Sequence, residues 1–223
     1  MAVDRMAVLS AMMDQGVIPV FYHHDVEVCK KVIQACVSGG AKCIEFTNRG
    51  DFASHLFLDL ARHFAKADAS VIMGVGSVVD APTAGIYIAN GAKFVVGPLL
   101  NADIAKVCNR RKIAYSPGCG SLSEINYAEE LGCEIVKVFP GDSVGGPAFV
   151  KAMLGPCPWT RIMPTGGVDA TEESLTQWFK AGVACVGIGS NLITKELLAA
   201  KDYSGVEKKV RETIALIRKI RGK

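Results

Sequence analysis

The chain has 223 residues, half of them apolar and 21% charged, which suits one α/β domain with a sizeable core and is short for two. A net charge of +3 is too small to point to nucleic acid, and no apolar run approaches the length needed to cross a membrane. Asp4, Arg5, Asp14 and Gln15 interrupt the first apolar residues, so the start does not read as a signal peptide and a cytoplasmic location is expected.

Short apolar runs alternate with longer amphipathic ones. An N-terminal helix is expected over about residues 4–14. Strands are expected at Val17 to Tyr22, Cys43 to Thr47, Ser70 to Gly74, Lys93 to Val96 and Ile113 to Ser116. Three more follow at Glu134 to Asp142, Arg161 to Pro164 and Ala184 to Ile188. Between them, helices are expected at about Asp25 to Ser38, Phe52 to Ala65, Ala81 to Asn90 and Ala102 to Arg110. The later ones are at about Ser121 to Leu131, Pro147 to Leu154 and Thr171 to Ala181, with a last helix near 204–220.

Eight strand-helix units in one chain are the content of a (β/α)8 TIM barrel. A glycine recurs two or three residues before a strand, at Gly40, Gly91, Gly132 and Gly182, as a helix end followed directly by the next strand. No Pro/Ser-rich linker divides residues 1–223, so a single barrel domain is expected. A doubly wound open sheet is the alternative, but no G-x-G-x-x-G follows the first strand. The eight cysteines contain no C-x-x-C pair and read as reduced core residues.

The sixth strand carries Lys137 among Ile135, Val136, Val138 and Phe139. An ammonium in such a run must be desolvated, paired or used. We read it as used, as an amine that forms a Schiff base with a carbonyl substrate. On the second strand Glu45, Thr47 and Arg49 alternate with Ile44, Phe46 and Asn48, so the first three share one face, expected to be the barrel interior. Desolvation would lower the lysine's affinity for its proton, and Glu45 would move protons during the reaction.

Two glycine-bearing loops complete the pattern. Pro164-Thr165-Gly166-Gly167 ends the seventh strand and Gly187-Ile188-Gly189-Ser190 the eighth, where barrels often bind phosphate through main-chain amides. Gly74-Val75-Gly76-Ser77 is a further place where backbone can approach a ligand. Pro98 either walls the site or ends a strand. His23 and His24 read as loop histidines, since a metal role would need partner ligands that cannot be placed; no metal or cofactor is expected.

At these residues the chain resembles the bacterial 2-keto-3-deoxy-6-phosphogluconate (KDPG) aldolases, the KDPG/KHG aldolase family. The likeness runs from about Gly16 to Ile193 through the blocks VIPV, IEFTNR, GVGSV, SPG, KVFPGD, PTGG and GIGS in order. It implies a metal-independent class I aldolase that cleaves a 2-keto-3-deoxy sugar acid phosphate to pyruvate and glyceraldehyde 3-phosphate. It matches Lys137 to the Schiff-base lysine, Glu45 to the general acid/base and Arg49 to the group that holds the pyruvyl carboxylate. Ser77 stands where the family commonly has threonine, and Phe139 matches an aromatic wall. Thr165, Gly166, Gly167 and Ser190 match the substrate and phosphate loops, and the family implies a homotrimer.

The chain departs from the family pattern at Asn48, Gly97, Leu99 and Gly141-Asp142. These leave open 4-hydroxy-2-oxoglutarate (KHG), which would yield glyoxylate, and a C4-epimeric galactonate-derived substrate. A non-covalent phosphosugar isomerase, synthase or binding barrel is the other class of reading.

Overall fold

Helices begin where a short polar side chain can satisfy the first free amides. The computed structural model describes residues 4–222. Asp4, Asp25, Asp80 and Asn101 cap α1 (Arg5–Gln15), α2 (Val26–Ser38), α4 (Ala81–Ala89) and α5 (Ala102–Arg111). Ser121, Thr171, Thr194 and Asp202 do the same for α6 (Leu122–Glu130), α8 (Glu172–Ala181), α9 (Lys195–Ala199) and α10 (Tyr203–Arg221). The other two helices, α3 (Ala53–Ala67) and α7 (Gly146–Leu154), follow left-handed residues, Phe52 and Gly145, without a side-chain cap.

The strands are β1 (Val17–Phe21), β2 (Cys43–Thr47), β3 (Ile72–Gly76), β4 (Phe94–Val96) and β5 (Ala114–Ser116). They continue with β6 (Gly118–Cys119), β7 (Val136–Val138), β8 (Ile162–Pro164) and β9 (Val186–Ile188). All pair in parallel. Six form one sheet in the order β5-β4-β3-β2-β1-β9, and three form another in the order β6-β7-β8. An isolated parallel bridge between Thr165 and Gly187 links the chain after β8 to β9. Between β5 and β6 the chain passes through Pro117, which has no amide to give to a ladder.

Strand periodicity divides the apolar residues into two cores. Ile44, Phe46, Val136 and Val138 face outward and pack under the helices. Ile18, Cys43, Ile72, Phe94, Ile135, Met163 and Cys185 face inward, and Val8, Leu9 and Met12 of α1 close that inner core from the strands' N-terminal end. Arg5 ties α1 down, donating to Glu134 Oε2 at 2.7 Å and to Asn109 Oδ1 at 2.7 Å. Glu45 follows the parity of Cys43, and Lys137 that of Ile135, so both point inward, one step beyond the inner core.

Four elements differ from the sequence expectation. The third strand runs Ile72–Gly76 rather than Ser70 to Gly74, because Asp68 turns the chain by accepting from the Ser70 amide at 2.9 Å. The sixth pairs only over Val136–Val138. Glu134 is drawn to Arg5, and Gly141 and Asp142 already belong to a loop that bonds to Thr165 and Gly166. The fifth strand runs Ala114–Ser116 rather than Ile113 to Ser116, and a further short strand, Gly118–Cys119, follows Pro117. Helix α9 has five residues, too few for its periodicity to stand out.

Candidate active site

Strand β2 supplies Glu45 and strand β7 supplies Lys137. Glu45 is 2% exposed and Lys137 5%. In register, Glu45 lies beside Val20 and Gly74, and Lys137 beside Gly118 and Met163. The Lys137 ammonium sits 4.5 Å from the centre of the Phe139 ring, which supplies both an apolar wall and a weak cation–π contact.

The carboxylate has room because β3 lacks a side chain opposite it. A Cβ at Gly76 would overlap the Glu45 carboxyl group. Glu45 Oε2 is buried with no hydrogen-bond partner among the described residues. An unpaired buried carboxyl oxygen is costly, and it marks a group positioned for use rather than for stability.

Burial raises the pKa of Glu45 above its ordinary value, against the pull of Lys137 and Arg49. Burial also lowers that of Lys137, opposed by Glu45 and assisted by the positive charge of Arg49. The two shifts converge. Both shifts favour the uncharged forms, a free amine and a protonated acid. Glu45 was expected to act as a proton-transfer group, and burial, by raising its pKa, favours the protonated acid that such a role needs.

Arg49 lies just past β2, where its exposed guanidinium Nε donates to Ser77 Oγ at 3.4 Å. Ser77 holds a left-handed backbone, φ 60°. The two form a polar edge at the mouth, suited to a carboxylate. Thr47 is buried, but its hydroxyl is bonded to the Phe21 carbonyl at 3.4 Å, which gives it a main-chain role beside the site. Pro98 is half-buried, with its carbonyl against Gly118, the register partner of Lys137. It backs the strand next to the lysine.

The two glycine loops also come together. Thr165 Oγ1 is buried without a partner among the described residues and faces Gly187. Gly166 and Gly167 are both left-handed, φ 84° and 71°, a conformation that side-chain-bearing residues resist. The amides of Gly167, Val168 and Ser190 find no acceptor among the described residues. Consecutive free amides of this kind form an anion-binding concavity. Gly189 is half-buried and Ser190 exposed. Ser190 lines a cleft of about 560 Å³ with Asp169, Thr171, Asn191 and Lys195. Gly167 lines a neighbouring cleft of about 570 Å³ with Asp142 and Trp178. Lys137 and Glu45 line neither cleft.

His23 and His24 stack on each other at 4.5 Å, and His23 Nδ1 accepts from the Asp25 amide at 3.0 Å, at the start of α2. Three contributors were missed from sequence: Gly76, Asn191 and Trp178. Gly76 was read as a place for ligand backbone contact, whereas it accommodates Glu45. Asn191 donates to the Val168 carbonyl at 3.3 Å and joins the two glycine loops. Trp178 lies within the helix expected over Thr171 to Ala181, whose sequence gives no sign of a contact with the glycine loop.

The model of the KDPG and KHG aldolase family matches residues 8–209. A 2-dehydro-3-deoxy-phosphogluconate aldolase of Treponema pallidum is 30% identical over 201 residues, covering 90% of this chain and 93% of that one. A KHG/KDPG aldolase of Escherichia coli K12 is 30% identical over 198 residues, covering 89% and 90%. Among solved structures, the KDPG aldolase of Legionella pneumophila, with pyruvate captured as a covalent carbinolamine, superposes with a TM-score of 0.82. It shares 26% identity, over 93% of this chain and 96% of that one.

Proposed function

Because the chain belongs to the KDPG and KHG aldolase family, we propose that it cleaves 2-keto-3-deoxy-6-phosphogluconate to pyruvate and glyceraldehyde 3-phosphate through a Schiff base on Lys137. One observation carries the residue assignment: Lys137, 5% exposed, and Glu45, 2% exposed, both face inward, one step beyond the inner core. The carbinolamine captured in the Legionella pneumophila relative supports a covalent route.

The cycle follows from the pair. The Lys137 lone pair adds to the C2 carbonyl, and Glu45 gives its proton to the carbonyl oxygen, forming a carbinolamine. Loss of water leaves a protonated imine. Glu45, now a carboxylate, takes the C4 hydroxyl proton; the C3–C4 electrons flow into the imine, and the aldehyde leaves. The resulting enamine takes that proton from Glu45 at C3, and water hydrolyses the imine, releasing pyruvate and returning the amine and the protonated acid. Arg49 and Ser77 hold the carboxylate, the Phe139 ring walls the bound chain, and the amides near Gly166, Gly167, Gly189 and Ser190 hold the phosphate.

KHG is included as a second substrate, on the model of the Escherichia coli relative named for both. With Pro117 the break between β5 and β6, and the Thr165–Gly187 bridge on the other side, the strands close into a single-domain (β/α)8 barrel. The assembly is a cytoplasmic homotrimer on this reading; exposed Phe52, Val79 and Leu99, on the loops after β2, β3 and β4, offer an apolar surface for it. Among the described residues no helix is long and apolar enough to cross a membrane.

Borohydride reduction in the presence of pyruvate should leave a stable adduct on the Lys137 peptide, and a lactate-dehydrogenase-coupled assay should detect pyruvate from KDPG. An adduct on Lys42 or Lys93 instead, or no pyruvate from either substrate, overturns the reading.

A further inference from the structure

Trp178 is 2% exposed on α8, and its indole N–H reaches the Gly167 carbonyl at 3.4 Å. The same ring packs behind Gly141, in the loop that follows the lysine strand. These two loops are already joined by main-chain bonds: Gly141 N to Thr165 O at 2.9 Å, Asp142 N to Gly166 O at 3.3 Å, and Thr165 N to Val138 O at 3.1 Å. Trp178 therefore touches both the lysine loop and the glycine loop at their junction.

The Gly167–Val168 peptide is planar and trans, so its carbonyl and its N–H point in opposite directions. A carbonyl held toward α8 turns the Val168 N–H away from the helix. That amide has no acceptor among the described residues. Two left-handed glycines give this segment wide conformational freedom, and a free chain would sample many peptide orientations. We propose that Trp178 is a positioning residue that fixes the Gly167–Val168 peptide so that its amide is presented to the phosphate of the substrate, making the enzyme favour phosphorylated over unphosphorylated substrates. The inference rests on the aldolase reading and adds to it a residue that never touches substrate.

The test compares KDPG with unphosphorylated KHG in Trp178→Phe, which keeps a buried ring and removes the donor. The expected result is a KM for KDPG raised roughly three- to tenfold, the worth of one neutral hydrogen bond, with kcat on KDPG held and the KM for KHG unmoved. Equal changes on both substrates, or no change on KDPG, overturn the proposal. A second measurement does not depend on that variant folding. The chain has two tryptophans, and Trp159 is 67% exposed, so Trp159→Phe leaves Trp178 as sole reporter. Titration of that protein with inorganic phosphate should change its emission saturably, and an unchanged spectrum overturns the proposal. If the wild type released no pyruvate from either substrate the aldolase reading would fail, while the phosphate titration would still decide the role of Trp178.

Discussion

Gly76 of β3 and Glu45 of β2 share one volume: the carboxyl group occupies the space that a side chain at position 76 would fill. Gly76→Ala must therefore displace the acid or distort β3. Over-packing of this kind costs about 1–3 kcal/mol in stability. The larger effect falls on the chemistry, since a displaced general acid forfeits about 10²- to 10⁴-fold in rate. A variant that folds but loses kcat, measured by pyruvate release, is the expected outcome; near wild-type kcat would show that Glu45 does not need its present position.

The pH profile of kcat/KM should be bell-shaped, and its limbs belong to the Glu45–Lys137 pair jointly. The doubly protonated pair has no free amine. The pair that has lost one proton can hold a free amine beside an acid. The pair that has lost both has no acid. Activity therefore rises with pH through the first loss and falls through the second. Glu45→Gln should remove the falling limb and lower the maximum; a falling limb that persists unchanged would assign it to another group.

Arg49 sets the position of that bell. Its positive charge favours the neutral form of Lys137 and the ionised form of Glu45. Removing it makes protonated lysine less costly and carboxylate more costly, so both limbs of the profile should move to higher pH in Arg49→Leu. Arg49→Lys keeps the charge and loses the planar fork. It should leave the limbs in place while raising the KM for pyruvate in the reverse reaction.

The buried pair should also oppose folding. Burial lowers the folded pKa of Lys137 below 10.5 and raises that of Glu45 above 4.5. For the lysine, the unfolded chain holds the extra proton between its folded pKa and 10.5, so stability climbs with pH across that window. For the glutamate, the folded chain holds the extra proton above 4.5, so stability falls with rising pH until its folded pKa is passed. Lys137→Met combined with Glu45→Leu removes both costs and should stabilise the protein by about 1–4 kcal/mol near neutral pH while abolishing activity. Urea titrations of a double variant less stable than wild type would show that the pair contributes to stability.

How far the sequence exposes this site depends on whether a residue's role is local. Lys137 and Glu45 are legible because strand parity alone sends them inward with Ile135 and Cys43. The helices are legible because Asp25, Asp80, Asn101, Ser121 and Thr171 each stand where a cap is needed. The start of β3 was misplaced because Val71 and Ser70 look strand-like, while Asp68 closes a turn on them. The roles of Gly76 and Trp178 arise from contacts between distant elements, and Thr47 carried no sign that its hydroxyl would meet the Phe21 carbonyl.

The N-terminal helix supplies stability at a distance from the chemistry. Met12 is fully buried, and with Val8 and Leu9 it closes the inner core formed by Ile18, Cys43, Ile72 and Phe94. Met12→Ala opens a cavity at the N-terminal end of the strands, away from Lys137 and Glu45. The expected loss is about 2–5 kcal/mol of unfolding free energy. Lys137 and Glu45 stand beyond that core toward the strands' other ends, so kcat at a temperature where the variant remains folded should stay within about twofold of wild type, the scatter usual for substitutions remote from a site. Chemical denaturation followed alongside the pyruvate assay separates the two effects. A large fall in kcat together with unchanged stability would mean that α1 shapes the active site directly.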